Sequence, residues 1–113
     1  MHAFIIHRAV LLALVQTICA APALAGEVIK VNISDLAFAP AEITARVGDS
    51  IEWTNGDFVD HTATAKSRDW DITIPAGKSA QVQLNKEATI EYFCRFHPAM
   101  TGTIRVTSGG PPH

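Results

Sequence analysis

Cysteine is scarce in this 113-residue chain, with only Cys19 and Cys94, and methionine is as rare, with only Met1 and Met100. A framework of several disulfides is therefore excluded, and a packed apolar core has to hold the fold. Basic charge is thin as well. The 9 Lys+Arg stand against 11 Asp+Glu and form no stripe or run, which argues against nucleic acid as a partner. Beyond residue 25 there is no long apolar stretch, so nothing there reads as a membrane span. No window sustains a helical apolar period, and neither a repeat nor a linker divides the chain. These absences leave one modest domain that is not helical.

The one apolar run stands at the start. "MHAFIIHR" carries Arg8, "AVLLALVQTICA" is apolar, and "APALAG" contains Ala23-Leu24-Ala25, an A-x-A cleavage pattern. Residues 1–25 thus read as a secretory signal peptide, too short for a span. A lipoprotein signal does not fit, because bulky Ile18 precedes Cys19 where a small residue belongs. The expected mature chain begins at Gly26, keeps 88 residues and carries a net charge of −3 with His neutral. Its expected location is the periplasm. Cleavage changes the inventory: Cys94 becomes the sole cysteine, Met100 the sole methionine, and His61, His97 and His113 the remaining histidines. An odd cysteine in an exported protein needs a reason. An intermolecular bridge, a buried inert thiol, a nucleophile and a metal ligand are all open.

The mature region reads as strands. "EVIKVNI" and "AEITARV" alternate β-branched apolar residues with polar ones. A Gly-Asp turn leads into "SIEWTN", with Ile51 and Trp53 on one face; "HTATAKS", "WDITI", "SAQVQLN", "ATIEYFC" and "GTIRVTS" follow. Period-2 alternation with turn signals every eight to twelve residues or so predicts an all-β, Greek-key antiparallel β-sandwich of about seven to eight strands. The domain is expected over residues 26–107, and the Gly/Pro-rich end, 108–113, is expected to be a flexible tail.

Cys94, His97 and Met100 form C-x2-H-x2-M on the loop between "TIEYFC" and "GTIRV". Pro98 cannot donate to a ladder, and Gly102 suits the end of a turn. His61 follows "WTNGDFVD", a loop leaving the strand of Trp53. Loops cluster at the ends of a sandwich, so His61 is expected to meet the Cys94 loop across the two sheets. One thiolate, two imidazoles and a thioether suit copper: His2Cys with a weak axial Met is the donor set of a blue-copper electron-transfer centre. Zinc typically recruits more Cys and His and no Met. Taken singly, a Cys is often a small core hydrophobe, a His a satisfied core group and a Met filler. Taken together, the sole Cys, the sole Met and two of three His at ligand spacing point to a metal. A Cys94–His97 nucleophile–base pair leaves Met100 and His61 without a task.

These residues carry a resemblance. "WTNGDFVDHT" and "EYFCRFHPAMTGTIRV" resemble the two copper-binding segments of the small cupredoxins, and "FAPAEITARVGDSIEWTN" resembles the stretch before the first ligand. The short Cys-x2-His-x2-Met loop is most like the amicyanin group, whereas plastocyanin and pseudoazurin place two more residues between His and Met. The resemblance spans about Val28 to Val106.

The resemblance implies one type 1 copper ion held by His61, Cys94 and His97 in plane and by Met100 axially. It implies an electron shuttle rather than an enzyme, a monomer whose partners are larger redox proteins (a dehydrogenase, a cytochrome c or an oxidase). These would dock transiently near His97, in an apolar patch that includes Phe58, Val59, Phe96, Pro98 and Ala99. A copper carrier that hands over the metal is the alternative function. The short loop also implies that His97 protonates and leaves reduced copper. The chain departs from the amicyanin group at Asp60, where the group has Pro, at Thr62, where it has Asn, at Arg95 and Phe96, where it has Thr and Pro, and at Ala99, where it has a bulkier residue. The Thr62 hydroxyl is expected to take over the Asn's task of tying the two copper loops together.

Overall fold

A computed structural model describes residues 12–15 and 26–109. Most of the expected leader and residues 110–113 of the expected tail lie outside the described residues. Among the described residues nine strands follow in order: β1 (Val28–Ser34), β2 (Ala37–Ala39), β3 (Glu42–Arg46), β4 (Ser50–Asn55), β5 (His61–Ala65), β6 (Asp71–Ile74), β7 (Ser79–Gln83), β8 (Ala88–Phe93) and β9 (Thr101–Thr107). They form two sheets, one ordered β2-β1-β4-β7 and the other β3-β9-β8-β5-β6. Among the described residues no helix is long and apolar enough to cross a membrane.

The all-β sandwich follows from the alternation. Val31 and Ile33 of β1, Ile43 and Ala45 of β3, Ile51 and Trp53 of β4, and Ile104 and Val106 of β9 all turn inward and are buried. Two features differ from the expectation. The sheets are mixed, because β1 pairs with β4 and β3 with β9 in parallel. The chain crosses between sheets at β2–β3, β3–β4, β4–β5, β6–β7 and β7–β8. Strands that meet after such crossings can run either way, and a period of two is silent on direction. The ninth strand is β2, three residues that bury Phe38 and are too short to show a period.

Trp53 sits at the centre of the core. Its ring lies 5.6 Å from that of Tyr92 and 5.5 Å from that of Trp70, and its Nε1 donates to the Tyr92 hydroxyl at 3.3 Å. Burial pushes the Tyr92 phenol up to about 12, against the Trp53 hydrogen bond, so it stays neutral. Gly48 and Gly102 are required by geometry. Gly48 has φ 99°, which the turn into β4 demands. Gly102 does not end the Met100 turn but lies within β9 opposite Tyr92, and a Cβ there would fall 2.4 Å from the Tyr92 ring.

Candidate metal centre

Three segments converge at one end of the sandwich: the β1–β2 turn, the β4–β5 loop and the β8–β9 loop. His61 opens β5 and Cys94 follows β8, and these strands are neighbours in one sheet. The expected meeting across the two sheets is therefore corrected. The chain crosses between sheets before His61, within residues 56–60, so the imidazole arrives beside Cys94 on the same sheet.

Asn55 directs that crossing. It is 1% exposed, its Nδ2 donates to the carbonyls of Val59 and Ile74 at 2.9 Å, and its Oδ1 accepts the Asp57 N–H at 2.9 Å. The Asp60 carboxylate accepts the Ala76 N–H at 2.9 Å and pins the last residue before the strand. The other loop closes on itself: the Cys94 N–H donates to the Met100 carbonyl at 3.1 Å and the Met100 N–H to the His97 carbonyl at 2.8 Å. A C-x2-H-x2-M spacing thus becomes one tight turn, with Cys94 and Met100 buried and His97 half-buried.

The donor atoms of His61, Cys94 and His97 all lie within 4.8 Å of one another. Cys94 Sγ is 3.7 Å from His61 Nδ1 and 3.8 Å from His97 Nδ1. A first-row ion bound about 2.3 Å from sulfur and about 2.0 Å from nitrogen, at a trigonal angle of about 120°, requires a sulfur–nitrogen separation of ~3.7 Å. Both sulfur–nitrogen separations therefore suit an ion shared between the thiol and each imidazole.

The His61 ring is fully buried, and its Nε2 lies 2.8 Å from Asp57 Oδ2. The Leu36 N–H, then the His61 ring, and the Asp35 N–H hold the Asp57 carboxyl below its usual range, against its burial. An ionised carboxylate only accepts, so His61 Nε2 carries a proton toward Asp57, and Nδ1 is the ring atom turned to Cys94. Asp35 and Leu36 supply those amides from a turn with positive φ, 52° and 58°. Burial pushes the Cys94 thiol up. The Thr62 N–H, His61, His97 and the Phe96 N–H outweigh it and bring the thiol down to about 6. The Thr62 N–H lies 3.3 Å from Sγ, and the Thr62 hydroxyl accepts the Arg95 N–H at 2.8 Å. The expected tie between the two loops is thus present. Asp57 and Asn55 had no such roles in the sequence reading; their only signal was a polar residue beside a ligand-bearing loop.

The cupredoxin-like domain family matches residues 5–106. The chain belongs to that family. Amicyanin-alpha of Methylorubrum extorquens is 30% identical over 83 residues, covering 68% of this chain and 70% of that protein. The solved structure of amicyanin from Paracoccus versutus aligns with a TM-score of 0.64 at 24% identity, over 71% of this chain and 81% of that one. A reduced amicyanin variant aligns with a TM-score of 0.63 at 24% identity, over 77% and 88% of the two chains. The family and the donor set agree on the cofactor of this cupredoxin, one type 1 copper ion.

Proposed function

We propose that this cupredoxin is an exported electron carrier in which His61, Cys94, His97 and Met100 would hold one copper ion. The observation that supports this most is the near-equal placing of two imidazole Nδ1 atoms about one buried thiol, at 3.7 and 3.8 Å. Bound copper supplies the Cu(I)/Cu(II) couple. The protein supplies a frame that holds His61 and Cys94 in place. His61 is fixed by Asp57, Cys94 by the Thr62 amide, and the ligand loop by its own backbone bonds. A site that moves little when an electron arrives passes it on quickly.

His97 is the donor nearest solvent. Phe96, Pro98 and Ala99 beside it are exposed, and Phe58 and Val59 are exposed on the loop that delivers His61. The Arg95 guanidinium lies 5.4 Å from the centre of the Phe96 ring, which props that ring at the rim. This surface suits a small, transient contact with a larger redox protein such as a dehydrogenase, a cytochrome c or an oxidase. The carrier works as a monomer and is not itself an enzyme. The leader over residues 1–25 sends the domain over 26–107 to the periplasm, a reading that rests on "MHAFIIHR" and "APALAG".

Voltammetry of the copper-loaded protein separates an electron carrier from a copper carrier. Repeated, reversible one-electron cycling with copper retained in the presence of a Cu(I) chelator supports the proposal. Loss of Cu(I) to the chelator within a few cycles would establish metal delivery instead.

A further inference from the structure

Behind the copper ligands lies a polar system that metal binding does not use. Thr62 and Thr64 lie on the face of β5 opposite His61, Ala63 and Ala65, and both are fully buried. The Arg95 N–H donates to Thr62 Oγ1 at 2.8 Å, and Thr62 Oγ1 lies 3.0 Å from Thr64 Oγ1. Thr64 Oγ1 donates to Asp71 Oδ1 at 2.7 Å, across the β5–β6 register that pairs these residues. Arg95 Nε donates to the same Oδ1 at 3.1 Å.

Proton accounting settles the direction of every bond. The Thr64 hydroxyl, then Arg95, holds the Asp71 carboxyl below its usual range, against burial, so at neutral pH it only accepts. Each hydroxyl has one proton. The Thr64 proton goes to Asp71, so the proton between the two threonines belongs to Thr62. The chain runs one way, from the Arg95 amide through Thr62 and Thr64 to Asp71, and the Arg95 side chain closes the ring. Arg95 is bonded to Cys94 in sequence, and the Thr62 N–H points at Cys94 Sγ.

We propose that Asp71, Thr64, Thr62 and Arg95 form a closed hydrogen-bond ring in which the threonine relay from the Arg95 amide and the Arg95 side chain both end on Asp71, and that Asp71 and Thr64 are positioning residues for the copper thiolate although neither touches it. The inference rests on the copper reading above. An anion at the end of the chain polarises each hydroxyl toward itself, which makes Thr62 Oγ1 a stronger acceptor for the Arg95 amide. The ring thus clamps the backbone that follows Cys94 and holds the Thr62 amide on the sulfur. A donor on the thiolate favours its more negative state, so it stabilises reduced copper.

Thr64→Val keeps the shape and removes only the relay. In the metal-free protein its Arg95 amide is expected to exchange with deuterium faster than in the wild type; in the copper form its reduction potential is expected to fall. Thr64→Ser is expected to restore both. Asp71→Asn, at an exposed position, is expected to speed Arg95 exchange even if Thr64→Val does not fold. Unchanged Arg95 exchange in folded Thr64→Val, or in Asp71→Asn, would overturn the ring, as would an unchanged potential in copper-loaded Thr64→Val. Because the exchange arm needs no metal, a failure of the copper reading would show separately, as a wild type that forms no copper thiolate.

Discussion

His61 and His97 bring the same ring to the same sulfur at 3.7 and 3.8 Å, from opposite circumstances. The His61 ring is fully buried, opens a strand and is held at Nε2 by a carboxylate that two backbone amides hold in turn. His97 is half-buried, lies on a loop and has exposed neighbours on both sides. One side of the site is built into the sheet and the other faces the surface. The difference teaches that equal distances to the thiol do not imply equal roles: the inner imidazole anchors and the outer one connects.

The largest test replaces each ring in turn. His61→Gly leaves a buried hole and takes one partner from the Asp57 carboxylate. It is expected to destabilise the metal-free fold by at least ~2 kcal/mol in urea unfolding and to abolish coloured copper binding. His97→Gly is expected to cost under ~1 kcal/mol, because its site is partly open, and added imidazole is expected to enter the gap and restore the colour. Equal losses in both variants, with no rescue in either, would remove the distinction.

A smaller effect is expected at the inner anchor. Asp57→Ala removes the partner of His61 Nε2 and is expected to weaken copper binding about 10–100-fold in a competition titration.

The thiol between the two rings gives a pH test. In the metal-free protein the Cys94 thiolate absorbance is expected to appear with a midpoint of about 6, well below its ordinary value of 9.0. The sign follows from linkage. A thiol depressed on folding adds stability that is full above pH 9.0 and is lost as pH falls to about 6. Metal-free stability measured against pH is expected to fall across that window. The smallest effect belongs to the rim: Phe96→Ala is expected to change stability by no more than ~0.5 kcal/mol while slowing electron transfer to a protein partner.

Much of this was legible in the sequence. Eight strands alternate strongly enough to be seen, since half-buried sheet faces impose a period of two. The Cys94-His97-Met100 turn is local, so its spacing reports its shape. What stayed hidden depends on contacts far apart in sequence. The parallel pairings of β1 with β4 and β3 with β9 leave no trace in alternation. β5 and β8 are neighbours only because the chain crosses between sheets before His61, which no local pattern encodes. Gly102 reads as a turn residue until the Tyr92 ring is found against it. Asp57 and Asp71 give no local sign of their roles, because an acid's partner on another loop cannot be inferred from its own neighbours.

The most direct test of the account is a Cu(II) titration of the purified chain from Gly26 onward, followed by visible absorption. One equivalent is predicted to produce an intense thiolate-to-copper charge-transfer band that saturates at that point, and Cys94→Ser is predicted to remove it. A colourless complex, or a band that survives Cys94→Ser, would contradict a copper site built on His61, Cys94 and His97.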